Sequence, residues 1–183
     1  LFEAIADAVP DRTAIICGDV RLTYRELDAG ANRFAHHLTA SGIVAGEHIG
    51  LYMRNSAEFV EALLAILKIR AVPININYRY VDADLADLFA NAELAAVVTD
   101  GGFATTTDAV LPRTPTVRHV VTVGAAADVD WGTATTADFH GAVAARSGER
   151  DFGPRSGDDR FIIYTGGTTG MPKGVMWRAE DFF

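Results

Sequence analysis

The chain has 183 residues, 49% of them hydrophobic and 22% charged, which supplies a packed core and excludes a disordered or collagen-like chain. Its 16 basic and 24 acidic residues leave a formal charge of −8; this argues against a surface that tracks nucleic-acid phosphates, although a local basic pocket is compatible with it. The single cysteine, Cys17, excludes an intrachain disulfide and fits a reducing, cytoplasmic setting; it reads as a small buried side chain rather than a nucleophile.

No secretory signal opens the chain, because Glu3 and Asp7 interrupt the first apolar stretch. Thr23-Tyr24-Arg25-Glu26 is a capping box. Behind it Tyr24, Leu27, Ala31, Phe34, Ala35 and Leu38 form one helical face, and Gly42 is its stop signal. His48 to Met53 reads as a short buried strand. Asn55 and Ser56 are candidate caps of a second helix, with Phe59, Val60, Leu63, Leu64 and Leu67 at helical spacing. This is the longest apolar candidate, and Glu61 and Lys68 break it short of the ~18 residues a membrane helix needs. No integral membrane segment is expected.

Val72 to Ile76 predicts the next strand, whose Pro73 points to a strand start or a sheet edge. A third helix fits Asp82 to Asn91, with Leu85, Leu88 and Phe89 inward. Ala95 to Thr99 and Val117 to Val123 are further strands. Gly101 to Pro115 and Gly124 to Thr136, rich in Thr, Ala and Gly, read as loops or short helices. Asp138 to Arg146 reads as a small helix and Gly153 to Asp159 as a turn-rich connection. Phe161 to Tyr164 and Val175 to Trp177 are the last strands. Strands alternating with helices predict βαβ units, hence an α/β fold with a mostly parallel, doubly wound sheet.

Between those last two strands lies the segment richest in chemistry. Gly166, Gly167 and Gly170 remove the Cβ atoms that would keep backbone N–H groups away from a ligand, and successive N–H groups in such a turn form an anion-binding concavity. Thr165, Thr168 and Thr169 add hydroxyls for phosphate oxygens or a magnesium ion, and Lys173 adds a mobile positive charge. The P-loop of nucleotide hydrolases differs: its lysine directly follows glycine, Ser or Thr comes next, and a helix opens. Here Lys173 follows Pro172 and precedes Gly174-Val175-Met176-Trp177, which favours turn and strand. A dinucleotide fingerprint is excluded because no G-x-G-x-x-G opens a helix.

Tyr164-Thr165-Gly166-Gly167-Thr168-Thr169-Gly170-Met171-Pro172-Lys173-Gly174-Val175 resembles, through its whole length, the phosphate-binding signature of the adenylate-forming superfamily of AMP-binding enzymes. Leu22-Thr23-Tyr24-Arg25-Glu26-Leu27 and the run from Leu63 to Asn75 are similar to earlier segments of that family. Val175-Met176-Trp177-Arg178 and Ala71 to Tyr80 most resemble bacterial fatty-acyl-CoA synthetases, including steroid side-chain ligases. Two departures are Arg70, where many members have glycine, and Ala179, near which many have histidine.

The resemblance implies ATP-dependent activation of a small-molecule carboxylic acid to an acyl-adenylate, followed by transfer to coenzyme A. Lys173 and the amides of Thr165 to Gly170 would hold the β- and γ-phosphates, and Thr165 or Thr168 would help hold the magnesium. It further implies that residues 1–183 are the N-terminal part of the large AMP-binding domain, without the small C-terminal domain. The magnesium glutamate, the ribose aspartate and the C-terminal lysine would then lie beyond the loop, leaving these residues alone inactive. Alternatives are activation of an amino or aryl acid, a kinase or ATPase that releases γ-phosphate, and a degenerate homologue that binds nucleotide without catalysis.

Other candidates carry less. His36 and His37 are adjacent on the first helix and diverge by ~100°, which suits solvated or boundary histidines better than a shared metal. Asp82, Asp84 and Asp87 lack the glycine turn and bidentate glutamate of a calcium loop and read as a charged first turn. Asn77, Tyr78, Arg79 and Tyr80 follow a strand, where α/β folds often bind ligands, and otherwise form a polar loop with packed aromatics.

Overall fold

A computed structural model describes residues 1–80, 82–167 and 170–181. A short helix α1 (Phe2–Ala8) leads into a hairpin of β1 (Thr13–Cys17) and β2 (Val20–Thr23), and α2 (Tyr24–Ala40) follows. The capping box forms as expected: the Glu26 amide donates to Thr23 Oγ1 at 3.2 Å and the Thr23 amide to Glu26 Oε2 at 2.8 Å. The helix ends where Gly42 takes φ +83°, with Gly42 N donating to Thr39 O and Ile43 N to Leu38 O.

Next come β3 (His48–Tyr52), α3 (Ala57–Lys68), β4 (Val72–Asn75), α4 (Asp82–Asn91), β5 (Leu94–Asp100), α5 (Ala104–Val110) between two 3-10 turns, β6 (His119–Val123), β7 (Thr135–Asp138), α6 (Phe139–Ala144), β8 (Arg160–Gly167) and β9 (Gly170–Arg178). Seven strands make one sheet in the order β7-β6-β5-β3-β4-β8-β9. Every pair is parallel except β8 with β9. The doubly wound α/β expectation is met. One apolar cluster joins α2, α3 and α6 to one face of the sheet through Phe34, Leu38, Ile66 and Phe139. A second joins α4 and α5 to the other face through Leu85, Phe89 and Val110.

Several local expectations are corrected. Ser56, not Asn55, caps α3 by accepting from the Phe59 amide at 3.1 Å. The deepest positions of α3 are Ala62, Ala65 and Ile66, all fully buried. Phe59 and Leu63 pack partly at the rim, because the small side chains let α3 lie close to α2. Pro73 stands in an interior strand rather than at an edge. Val72 N bonds to Glu47 O and Ile76 N to Leu51 O, so these amides face β3. Pro73 therefore turns its nitrogen toward β8, whose pairing with β4 begins only at Ile74, and little is lost by its missing N–H. Cys17 is half-buried on the small hairpin, not fully buried.

Candidate functional site

The glycine-rich segment sits between two antiparallel strands. Phe161 pairs with Trp177, Ile163 with Val175, Tyr164 with Gly174 and Thr165 with Lys173, and the hairpin continues to a pairing of Gly167 with Gly170. The register shifts between Thr165 and Gly167, so the ladder is interrupted where the sequence changes from apolar strand to glycine. An anion-binding turn needs backbone N–H groups outside the ladder, and a break in register is the place in a hairpin where such groups arise. No helix opens after this turn, since β9 runs on to Arg178; the distinction from the helix-opening P-loop holds. Lys173 is exposed. The structure thus brings together the backbones of Thr165, Gly166, Gly167, Gly170 and Lys173, while Thr168 and Thr169 lie outside the described residues.

The hairpin ends on the same side as the carboxyl ends of the parallel strands. From β3 the chain passes through α3 to β4 on one side, and from β5 through α5 to β6 on the other. The crevice between β3 and β5 is therefore the switch point where doubly wound sheets bind ligands. Arg54, just after β3, meets Asp100, the last residue of β5, at 3.0 Å there. The Arg54 guanidinium lies 4.6 Å from the Phe103 ring centroid, and Phe103 stacks on Tyr78 with centroids 6.3 Å apart and planes 6° apart. Arg79 lies 5.7 Å from the Tyr78 ring, and Tyr52 Oη donates to Tyr80 O at 2.7 Å. The Asn77 to Tyr80 segment thus lines the carboxyl-terminal rim. Arg54, Asp100 and Phe103 were not singled out from the sequence; their position directly after two buried strands was the available signal.

Cavities of about 280 and 290 Å³ lie elsewhere, at the amino-terminal edge of the sheet and against α2 and α3. The first is lined by His48, Arg70 and Asp159 among others. Within it Arg70 Nε pairs with Asp159 Oδ1 at 2.8 Å. His36 bonds to Glu149 O at 3.1 Å, as a boundary residue does. His37 is buried, contrary to expectation, with its Nε2 2.9 Å from Nε2 of His119. Among the described residues no group of three or more His, Cys, Asp or Glu side chains could hold a metal. Of the α4 aspartates, Asp87 pairs with Arg113 at 2.8 Å, while the side chain of Asp82 lies outside the described residues.

The family model of AMP-binding enzymes matches residues 2–182 of the chain. The chain belongs to the AMP-binding enzyme family. It is 48% identical over 183 residues to the medium/long-chain-fatty-acid–CoA/3-oxocholest-4-en-26-oate–CoA ligase of Mycobacterium tuberculosis, covering 100% of this chain and 33% of that protein. Identity is 45% over 181 residues to the 3-oxocholest-4-en-26-oate–CoA ligase of Rhodococcus rhodochrous, covering 99% of this chain and 33% of that one. The inhibitor-bound N-terminal domain of FACL13 from Mycobacterium tuberculosis superposes with a TM-score of 0.84 at 30% identity, covering 98% of this chain and 43% of that domain's chain. The chain spans about a third of the length of the curated relatives it matches. Among the described residues no helix is long and apolar enough to cross a membrane.

Proposed function

We propose that the complete protein activates a carboxylic acid of the fatty or steroid side-chain type with ATP and transfers it to coenzyme A, and that residues 1–183 form the N-terminal part of its adenylation domain. The observation that carries this reading is the antiparallel hairpin of β8 and β9, with its interrupted ladder at Thr165 to Gly167 and Lys173 opposite Thr165, in a chain whose relatives are acyl-CoA ligases.

In the reaction a carboxylate oxygen bonds to the α-phosphorus of ATP while the bond to the β-phosphate bridging oxygen breaks, releasing pyrophosphate. The CoA sulfur then bonds to the acyl carbon, AMP leaves, and the thiol proton passes to solvent. Bringing an anion onto a polyanion makes charge neutralisation the protein's main task. The loop amides of Thr165, Gly166, Gly167 and Gly170 orient the β- and γ-phosphates, and Lys173 neutralises them. The Thr165 hydroxyl suits magnesium, which takes oxygen ligands and needs few from protein when phosphates supply the rest. When bound, that ion would lower the charge of the phosphates.

Pyrophosphate release by the complete protein across fatty, steroid, aryl and amino acids tests the reading; release with none of them, or release of γ-phosphate instead, refutes it. Lys173→Ala is expected to raise the KM for ATP by at least about tenfold, the loss of one charge-assisted contact. Unchanged ATP kinetics would remove the role given to that lysine.

A further inference from the structure

We propose that Tyr164 is a positioning residue that sets the phosphate hairpin against the sheet through Asn91, an inference that rests on the proposed function. Tyr164 stands immediately before the loop and is the register partner of Gly174 on β9. A Cβ built on Gly174 would come within 3.2 Å of Cε2 and Cζ of the Tyr164 ring, and within 3.0 Å of Ile162 Cγ2. Glycine at 174 therefore leaves the space the ring fills. An aromatic ring across the ladder from a glycine supplies the cross-strand packing that glycine lacks, and so holds the register.

Beyond Gly174 the ring packs against the cluster of Leu88, Phe89 and Ile162. Its Oη donates to Asn91 Oδ1 at 2.8 Å. Asn91 is the last residue of α4, a helix fixed by the fully buried Leu85 and Phe89 and by the Asp87–Arg113 ion pair. The hydroxyl thus ties the base of the hairpin to a rigid element one residue before the ladder is interrupted. A phosphate grip built on backbone amides depends on where that base stands, since small displacements of positioned groups weaken binding.

The test uses the complete natural polypeptide and ATP-dependent pyrophosphate release at saturating acid. Tyr164→Phe and Asn91→Leu each remove the same bond. Each is expected to raise the KM for ATP about fivefold, the worth of one ordinary hydrogen bond, with kcat changed less than about twofold. The double variant should be no worse than either single one. Asn91→Asp keeps an acceptor and should behave like the wild type. Amide exchange in the hairpin peptide should accelerate in Tyr164→Phe and Asn91→Leu but not in Asn91→Asp. An unchanged KM with unchanged exchange overturns the proposal, as does a loss of melting temperature with no change in KM. If the protein releases no pyrophosphate with any acid, the functional reading fails separately, and hairpin exchange alone decides: acceleration supports the positioning role and no acceleration overturns it.

Discussion

Replacing Glu61 with glutamine removes a carboxyl whose pKa is pushed up to about 7, by burial first and then by Glu58, with Arg33 opposing. The carboxyl reaches toward Gly30 on α2, where a Cβ would come within 2.4 Å of Glu61 Oε1; the glycine makes room for it. The folded protein holds this proton to higher pH than the unfolded chain, so stability falls as pH rises from 4.5 to about 7. At ~1.4 kcal/mol per pH unit the ceiling is about 3 kcal/mol. Glu61 is only partly buried, and solvent screening reduces this to about 1–2 kcal/mol. His37 works in the opposite direction. Burial, then His119 and Arg146, lower its pKa from 6.5 to about 4, so its contribution is intact above 6.5 and is lost as pH falls toward 4. Between 4.5 and 6.5 the two slopes oppose each other, and Glu61→Gln unmasks the histidine's. Urea unfolding of wild type and variant at matched pH values gives the difference directly. It should be near zero at about pH 4.5 and reach about 1–2 kcal/mol in favour of the variant at about pH 8. A difference independent of pH, whatever its sign, refutes the reasoning.

Substitutions at two further positions test the fold. Lys68 is 3% exposed and donates at 2.8 Å to both Glu3 and Asp28. Lys68→Met should cost about 3 kcal/mol in urea unfolding, the low end for a broken buried pair, because Arg150 still reaches Asp28 at 2.9 Å; a cost under about 1 kcal/mol would show that the pair carries no net stability. Arg70 holds φ 60° just past α3, with Arg70 N on Leu67 O and Ala71 N on Ile66 O, the left-handed helix stop that glycine fills most easily. Arg70→Gly exchanges the Asp159 ion pair for relief of that strain and should stay within about 1 kcal/mol of wild type, whereas Arg70→Val should lose about 2 kcal/mol. Equal losses from both would refute the strain argument.

The elements legible in the sequence were those with one dominant local signal. Thr23 and Glu26 announced α2, and Leu85, Leu88 and Phe89 announced α4; all three apolar residues are buried as expected. The hairpin of β1 and β2 was missed although Gly18-Asp19 stands between two β-rich runs and Gly18 takes φ +57°, a turn signal that composition alone obscures. Strand β7 was missed because Thr135–Asp138 is short, polar and at the sheet edge, paired only with β6. Pro73 misled because its tolerance depends on which neighbour its nitrogen faces, a property of sheet order. For the site, the loop proposed to hold phosphate stood out because its glycines and lysine lie within eight residues of sequence. Arg54, Asp100 and Phe103 were not, because they meet only when β5 crosses back to lie beside β3.

On the proposed function an acidic chain must grip a polyanion, and the hairpin would resolve that electrostatic problem by distance. The charge of −8 is spread over the surface and screened beyond ~8–10 Å at physiological salt. Backbone N–H groups touching a phosphate act at about 3 Å, where local dipoles and one lysine outweigh remote carboxylates. Acidic side chains near the open end of the same hairpin are matched, with Arg178 paired to Asp158 and Glu180. The ladder between Phe161 and Trp177 separates those charges from Thr165 and Lys173. Adding carboxylates around Arg178 should therefore slow ATP association at low salt with little effect on KM at physiological salt, whereas any change at Lys173 should persist at both.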